Sequence, residues 1–498
     1  MTAQSGHGRV EISTAPKGIP CPLSSSTRPL PPPRRRLPVS AIPPARRCSS
    51  SRGRSSSSGR SRRRPSARST SRRAADQDCF RCAELSSRSS HVRDTGTLEG
   101  MALRRVLASE AVAALTATLL ASCASVAPSA PDPEPPTKAD LRERAACAVD
   151  SLADSEGVAF GVNLDWGSQS VKEYADLLGR QPADVVSFVP LPWDGHERQW
   201  ALEAAQQAAV AGSAHLLTIE PQDGLAAVDD AAVADLVTLL QEVTELGVPV
   251  VLRFAHEMNG SWYAWGQQPD EYVDTFRRVA SAVHDDVPGA AMMWAPNYGG
   301  GYPFTGGAYM AEAGTPAARA LDTDGDGAVT DADDPYAPYY PGDEYVDWVG
   351  MSLYHWGSAY PWGENEVPEE GKFAAQLTGT YSGLGGDDSA IPDFYAEYGE
   401  RRDKPVAIPE TAALVVERGE PESEAEIKRA WWRQVLAPET REVFPMLRMI
   451  NWFEWTKLEP EVDDTVAWSV LSDEMTAAEF TSDLPEWLRF AGDVHCGE

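Results

Sequence analysis

The chain has 498 residues, with 44 Lys+Arg against 74 Asp+Glu and a net charge of −30, enough for one large α/β domain with tails or for two or three average domains. The charge is divided unevenly. Residues 1–100 hold 20 Lys/Arg and 6 Asp/Glu, which leaves 24 basic and 68 acidic residues, or −44, for the rest. The basic segment shows neither aromatic interleaving nor a folded module, so a nucleic-acid partner is not expected.

Arg, Ser and Pro dominate residues 1–100, as in Arg34-Arg35-Arg36 and Ser55-Ser56-Ser57-Ser58. With almost no apolar periodicity, such a segment cannot bury enough surface to offset its conformational entropy, and disorder is expected. From Met101 the chain reads as a basic start (Arg104, Arg105), a short apolar run to Leu120, and Leu120-Ala121-Ser122-Cys123. This stretch resembles a bacterial lipoprotein signal. That implies cleavage before Cys123, lipid on its sulfur, and an extracytoplasmic protein anchored at the outer face of the cell membrane or secreted. Residues 1–100 then read as an upstream stretch translated from a wrongly chosen start. Residues 124–139, with Pro128, Pro131, Pro133, Pro135 and Pro136, form a stiff tether.

Four of the seven cysteines (Cys21, Cys48, Cys79 and Cys82) fall in the first segment, and Cys123 belongs to the signal. Cys147 and Cys496 remain, one near each end of the folded part. In an exported protein this pair is expected to form a disulfide.

From about residue 140 the pattern is strand, loop, amphipathic helix. The expected strands are 158–164, 184–190, 214–220, 249–257, 290–297, 347–354, 405–411 and 446–454. Between them, 230–246 places Val233, Leu236, Val237, Leu240 and Val243 on one face, and Gly247 closes it. Pro269 opens the next helix, with Tyr272, Val273, Phe276, Val279 and Val283 facing inward. Ser423-Glu424-Ala425-Glu426 reads as a capping box. Eight such units predict an α/β fold, a (β/α)8 TIM barrel over residues 140–498. An open doubly wound sheet is the alternative, but no Gly-rich phosphate loop follows the first strand.

In a barrel the chemistry sits at the carboxyl ends of the strands. Glu257 ends the fourth expected strand and Glu410 the seventh, and these two strands face one another across the mouth. Around them stand His256, Trp262, Trp265, Asn297, Tyr354 and Trp455. Aromatic rings match the C–H faces of pyranose sugars, so the tryptophans are expected to bind substrate. Tyr354 is placed to orient Glu410, Arg253 to neutralise a buried carboxylate, and Asn297 and Glu220 to bind hydroxyls. Two carboxylates in an aromatic-rich cleft suit glycoside hydrolysis, which needs no cofactor.

The run Arg253-Phe254-Ala255-His256-Glu257-Met258-Asn259-Gly260, followed by Trp262, Tyr263, Trp265 and Gly266, resembles the signature of glycoside hydrolase family 26, best known for β-mannanases. The resemblance implies a retaining endo-acting enzyme on a β-linked polysaccharide such as β-1,4-mannan. It makes Glu257 the acid/base, Glu410 the nucleophile, and His256 a contact to the sugar or to Glu410. The same mechanism on β-glucan or xylan is the alternative. A non-catalytic carbohydrate-binding surface protein is the alternative of another class. The protein is expected to be a monomer.

An insert at about 320–335 carries a second motif. Asp322, Asp324, Asp326, the Ala328 carbonyl and Asp333 follow calcium-loop spacing, with glycine at the sixth position and aspartate rather than glutamate at the twelfth. A structural calcium ion is expected there.

Overall fold

The computed structural model describes residues 134–493, apart from residues 155, 358–363, 384–385 and 419–420. Expectations for the first hundred residues, the signal, Cys123 and Cys496 lie outside the described residues. Cys147 is disulfide-bonded.

Eight parallel strands close into a barrel: β1 (Val158–Leu164), β2 (Asp184–Pro190), β3 (Ala214–Glu220), β4 (Val250–Phe254), β5 (Ala290–Trp294), β6 (Trp348–Gly350), β7 (Val406–Thr411) and β8 (Leu447–Glu454). Neighbours in sequence are neighbours in the sheet, and β8 closes it by pairing with β1 from Ala159↔Met449 to Leu164↔Glu454. The helices cover the outside. α1 (Lys138–Asp154) precedes β1, and α2 (Val171–Leu178), α3 (Gly195–Ala211), α4 (Asp230–Thr244) and α5 (Pro269–Asp286) follow β1 to β4 in turn.

Side-chain alternation along the strands makes two apolar layers. Ala159, Val186, Leu216, Val251, Met293, Ala407 and Met449 fill the barrel, and Val149 and Leu152 of α1 pack against them as a plug. Outward residues such as Phe160, Val162, Val185 and Leu252 join the helices in the larger core. Of the predicted inner face of α5, Val273 is only half-buried, and the rest is buried. Gly161 has a specific reason to lack a side chain. A Cβ there would lie 2.4 Å from the carboxylate of Asp184, which is buried inside the barrel and bonded to Asn451.

The differences from the expected elements have physical causes. The helix expected to start at a Ser423 cap begins at Pro421 instead, so Ser423 lies in its first turn. Proline suits that position because a first-turn N–H has no intrahelical partner. β4 to β6 are shorter than expected because the chain leaves the ladder early. After β4, Ala255 and Glu257 adopt left-handed backbone angles (φ 48° and 54°). Beyond β5 and β6 only the single bridge Asn297↔Ser352 continues the pairing of those two strands. Past β8 the chain forms an antiparallel hairpin, β9 (Thr456–Glu459) with β10 (Asp464–Ala467).

Candidate active site

Glu410 comes from a distorted strand. In the pairing of β7 with β8, Ile408 faces Ile450 but Thr411 faces Trp452, so β7 holds one extra residue at Pro409–Glu410. Proline has no N–H to give the ladder, and a bulge is where a sheet tolerates it. The extra residue changes the alternation. Strict period two from the inward Ala407 would send Glu410 outward, whereas the bulge turns it into the barrel mouth.

There it meets two donors. Arg253, on β4 and fully buried, donates from Nη2 to Glu410 Oε1 and from Nε to Thr218 Oγ1 (3.0 Å). Tyr354 Oη donates to Glu410 Oε2 at 2.7 Å. Together the two donors fix the plane of the Glu410 carboxyl group.

Glu257 sits opposite, on the strained turn after β4. Its amide donates to Ala295 O (2.9 Å), and the Ala255 amide donates to Ile219 O (2.8 Å), so neighbouring strands hold the left-handed backbone in place. Trp262 Nε1 donates to Glu257 Oε2 at 3.1 Å. That ring lies against Gly260, where a Cβ would fall 2.3 Å from it, so glycine is required for the indole to reach the carboxyl group. Burial and the facing charge of Glu410 push Glu257 up to about 7, although Ser352, Arg253 and Trp262 favour its anion. Carboxylate oxygens of Glu257 and Glu410 and a ring nitrogen of His256 lie within 4.8 Å of one another.

The remaining predicted residues divide. His256 is buried among Phe188, Tyr263 and Trp265, and burial and nearby cations hold its pKa well below the usual imidazole value. Its neutral ring borders both carboxylates. Trp265 does not reach the cleft. It is 1% exposed, stacks on Tyr263 and donates from Nε1 to His256 O (2.7 Å), so it supports the site from the core. Asn297 is held through its backbone by Asn259, whose amide nitrogen donates to Asn297 O at 2.8 Å and whose amide oxygen accepts from Asn297 N at 2.9 Å. Trp455 is half-buried and stacked on Phe453, in an aromatic wall that starts at the end of β8. Tyr354, Trp356 and Trp468 extend that wall, and Lys457 lies over the Phe453 ring. Sequence reasoning missed the hairpin wall and Ser352. Ser352 was within reach, because it lies two residues before Tyr354 and so on the same face.

In the 322–333 loop, carboxylate oxygens of Asp322, Asp324 and Asp333 gather within 4.8 Å of one another. Asp322 Oδ2 accepts from the Gly327 amide (3.0 Å), and its Oδ1 is buried without a partner. Asp326 is not brought into this group. Its Oδ1 accepts from the Ala328 amide (2.9 Å).

The fold and the carboxylates that follow β4 and end β7 define a (β/α)8 protein with a paired-carboxylate site at the barrel mouth. Residues 217–299 match the model of glycosyl hydrolase family 26. Over 221 residues the chain is 24% identical to Endoglucanase H of Acetivibrio thermocellus, a match covering 42% of this chain. The chain thus spans about a fifth (21%) of the length of that curated relative. Among solved structures, GH26C from Muricauda sp. MAR_2010_75 is similar at 13% identity and a TM-score of 0.42, covering 71% of this chain and 96% of that one. The Bacillus subtilis mannanase man26 is similar at 14% and 0.39, covering 71% and 92%. The similarity to glycosyl hydrolase family 26 thus falls on the stretch that carries Arg253, His256 and Glu257.

Proposed function

We propose that the protein is a retaining endo-acting glycoside hydrolase that cleaves β-1,4-mannan by double displacement. The carrying observation is the close approach of Glu257 and Glu410, whose oxygens come within 4.8 Å. Retaining enzymes hold their carboxyl groups ~5–5.5 Å apart, and inverting ones ~6.5–9.5 Å to admit a water. In the first step Glu410 attacks the anomeric carbon. The bond to the leaving oxygen breaks, and Glu257 gives that oxygen its proton. In the second step Glu257, now the carboxylate, takes a proton from water. The resulting hydroxide equivalent displaces Glu410 from the same carbon. Esterification of Glu410 removes the charge that helped to keep Glu257 protonated, so one residue serves as acid and then as base. The likeness to Endoglucanase H favours a β-glucan as the second reading.

Reducing-sugar release from β-mannan, mixed-linkage β-glucan and xylan tests this reading. Release from mannan first is expected, and inactivity on all three would remove it. The raised Glu257 also sets a pH dependence. Only its protonated form can serve the leaving group, so kcat/KM is expected to fall about tenfold per pH unit above about 7. A flat profile to pH 9 would show that Glu257 is not the acid.

Structural calcium in the 322–333 loop belongs to the same proposal. Hard oxygen donors suit that ion, and the unpartnered Asp322 Oδ1 is a ready ligand. Asp324 and Asp333 would join it, and Asp326 and the Ala328 carbonyl would complete the set. A chelator is expected to lower the melting temperature by several degrees, with recovery on adding calcium but not magnesium. An unchanged melting curve would leave the loop without a metal. Export as a lipoprotein is likewise proposed, and Cys123→Ala is expected to abolish labelling by radioactive fatty acid.

A further inference from the structure

On the rim of the barrel mouth, the loops after β3, β4 and β5 enclose an open groove of about 600 Å³. Gln222, Asp223, Gln268, Tyr309, Met310 and Glu312 give it its chemistry, and among the described residues no lysine or arginine lines it. Tyr309 and Met310 are 46% and 43% exposed although their backbone is tied down. The Tyr309 amide donates to Ser261 O (2.9 Å), and the Ala311 amide donates to Gln267 Oε1 (2.8 Å). Gln267 in turn donates to Pro303 O (2.8 Å). The strap therefore presents its two apolar side chains outward instead of folding them away.

Two chains of contacts tie the lining of the groove to the catalytic centre. On one side Ser261 precedes Trp262, which holds Glu257. On the other, Gln222 Nε2 donates to Glu220 Oε2 (3.1 Å), and Glu220 lies within electrostatic reach of Arg253 and Glu410. An exposed ring and a thioether offer apolar area to C–H surfaces. Carboxamides and carboxylates accept and donate to hydroxyls. Two acids without a cation repel anionic chains. The loop after β4 carries both Glu257, the residue that protonates the departing oxygen, and Gln267 and Gln268 of the groove, which puts the groove on the departing side of the chain.

We propose that this groove is a distal subsite for the leaving portion of a neutral polysaccharide, with Tyr309 as its stacking platform. The direction of the chain rests on the glycoside hydrolase reading, whereas binding in the groove does not. Affinity electrophoresis separates the two. The Glu410→Ala protein is expected to be retarded in gels containing soluble β-mannan or mixed-linkage β-glucan, but not in polygalacturonate. Adding Tyr309→Ala is expected to weaken that retention roughly tenfold, while adding Tyr309→Phe preserves it. In the otherwise wild-type enzyme, Tyr309→Ala is expected to raise KM on the polymer roughly tenfold and to leave aryl glycosides unaffected, since they carry no sugar on the leaving side. Unchanged retention with Tyr309→Ala, equal retention in polygalacturonate, or an equal loss on aryl glycosides would overturn the subsite. Tyr309-dependent retention by a chain that hydrolyses nothing would keep the groove and remove the catalytic reading.

Discussion

Glu410→Ala is expected to abolish turnover on every substrate, because no group remains to form the glycosyl-enzyme. Glu257→Ala is expected to separate the two steps. On polysaccharide the leaving sugar is a poor leaving group, and losing its proton donor costs roughly 10²–10⁴-fold. An aryl glycoside departs with little protonation, so the first step survives. The second step lacks its base, and the glycosyl-enzyme accumulates as a burst. Azide needs no deprotonation. It is expected to restore turnover in Glu257→Ala and to give a β-glycosyl azide of retained configuration. Equal losses in both variants on aryl glycosides, with azide rescuing neither, would show the roles to be misassigned.

The second large effect is expected at Arg253. Its guanidinium is fully buried between Glu410 and Thr218 and lies over the Phe188 ring at 5.4 Å. Arg253→Met keeps much of the side-chain volume but leaves the Glu410 carboxylate buried without its countercharge. Breaking a buried pair in this way costs about 3–5 kcal/mol, which a denaturant titration would resolve. The alkaline limb of the activity profile is expected to move to higher pH, because Arg253 favours the anion of Glu257 and its removal keeps that carboxyl protonated further up. Replacing both partners, as Arg253→Met with Glu410→Gln, is expected to recover much of the stability, since neither residue is then an unpaired ion. If the double variant is no more stable than Arg253→Met alone, the arginine acts through packing and not through the pair.

Much of the barrel was legible from residue order because its signals are local. The strands β1, β2 and β3 occupy the predicted spans, and the inner face of α4 is the predicted one. Alternation and 3.6-residue periodicity follow from the geometry of the elements themselves. The contact of Tyr354 with Glu410 was also anticipated, since strand ends in a parallel barrel converge at one mouth, whereas Arg253 was expected to neutralise a buried carboxylate without Glu410 being singled out.

What the tertiary structure decided is orientation. Glu410 faces inward through the bulge at Pro409, and period two counted along β7 would have turned it away. Where that bulge falls depends on the register with β8. Glu257 is placed by left-handed backbone at Ala255 and Glu257, held by amides bonded to neighbouring strands. No local preference of alanine or glutamate favours those angles. The tryptophans show the same division. Residue type alone made Trp262 and Trp265 equivalent, whereas the turn sends the first to Glu257 and the second beneath Tyr263. A residue's place along the chain is set by patterns within a few neighbours. The face it presents to a site depends on contacts with strands far away in sequence, which only the closed barrel brings together.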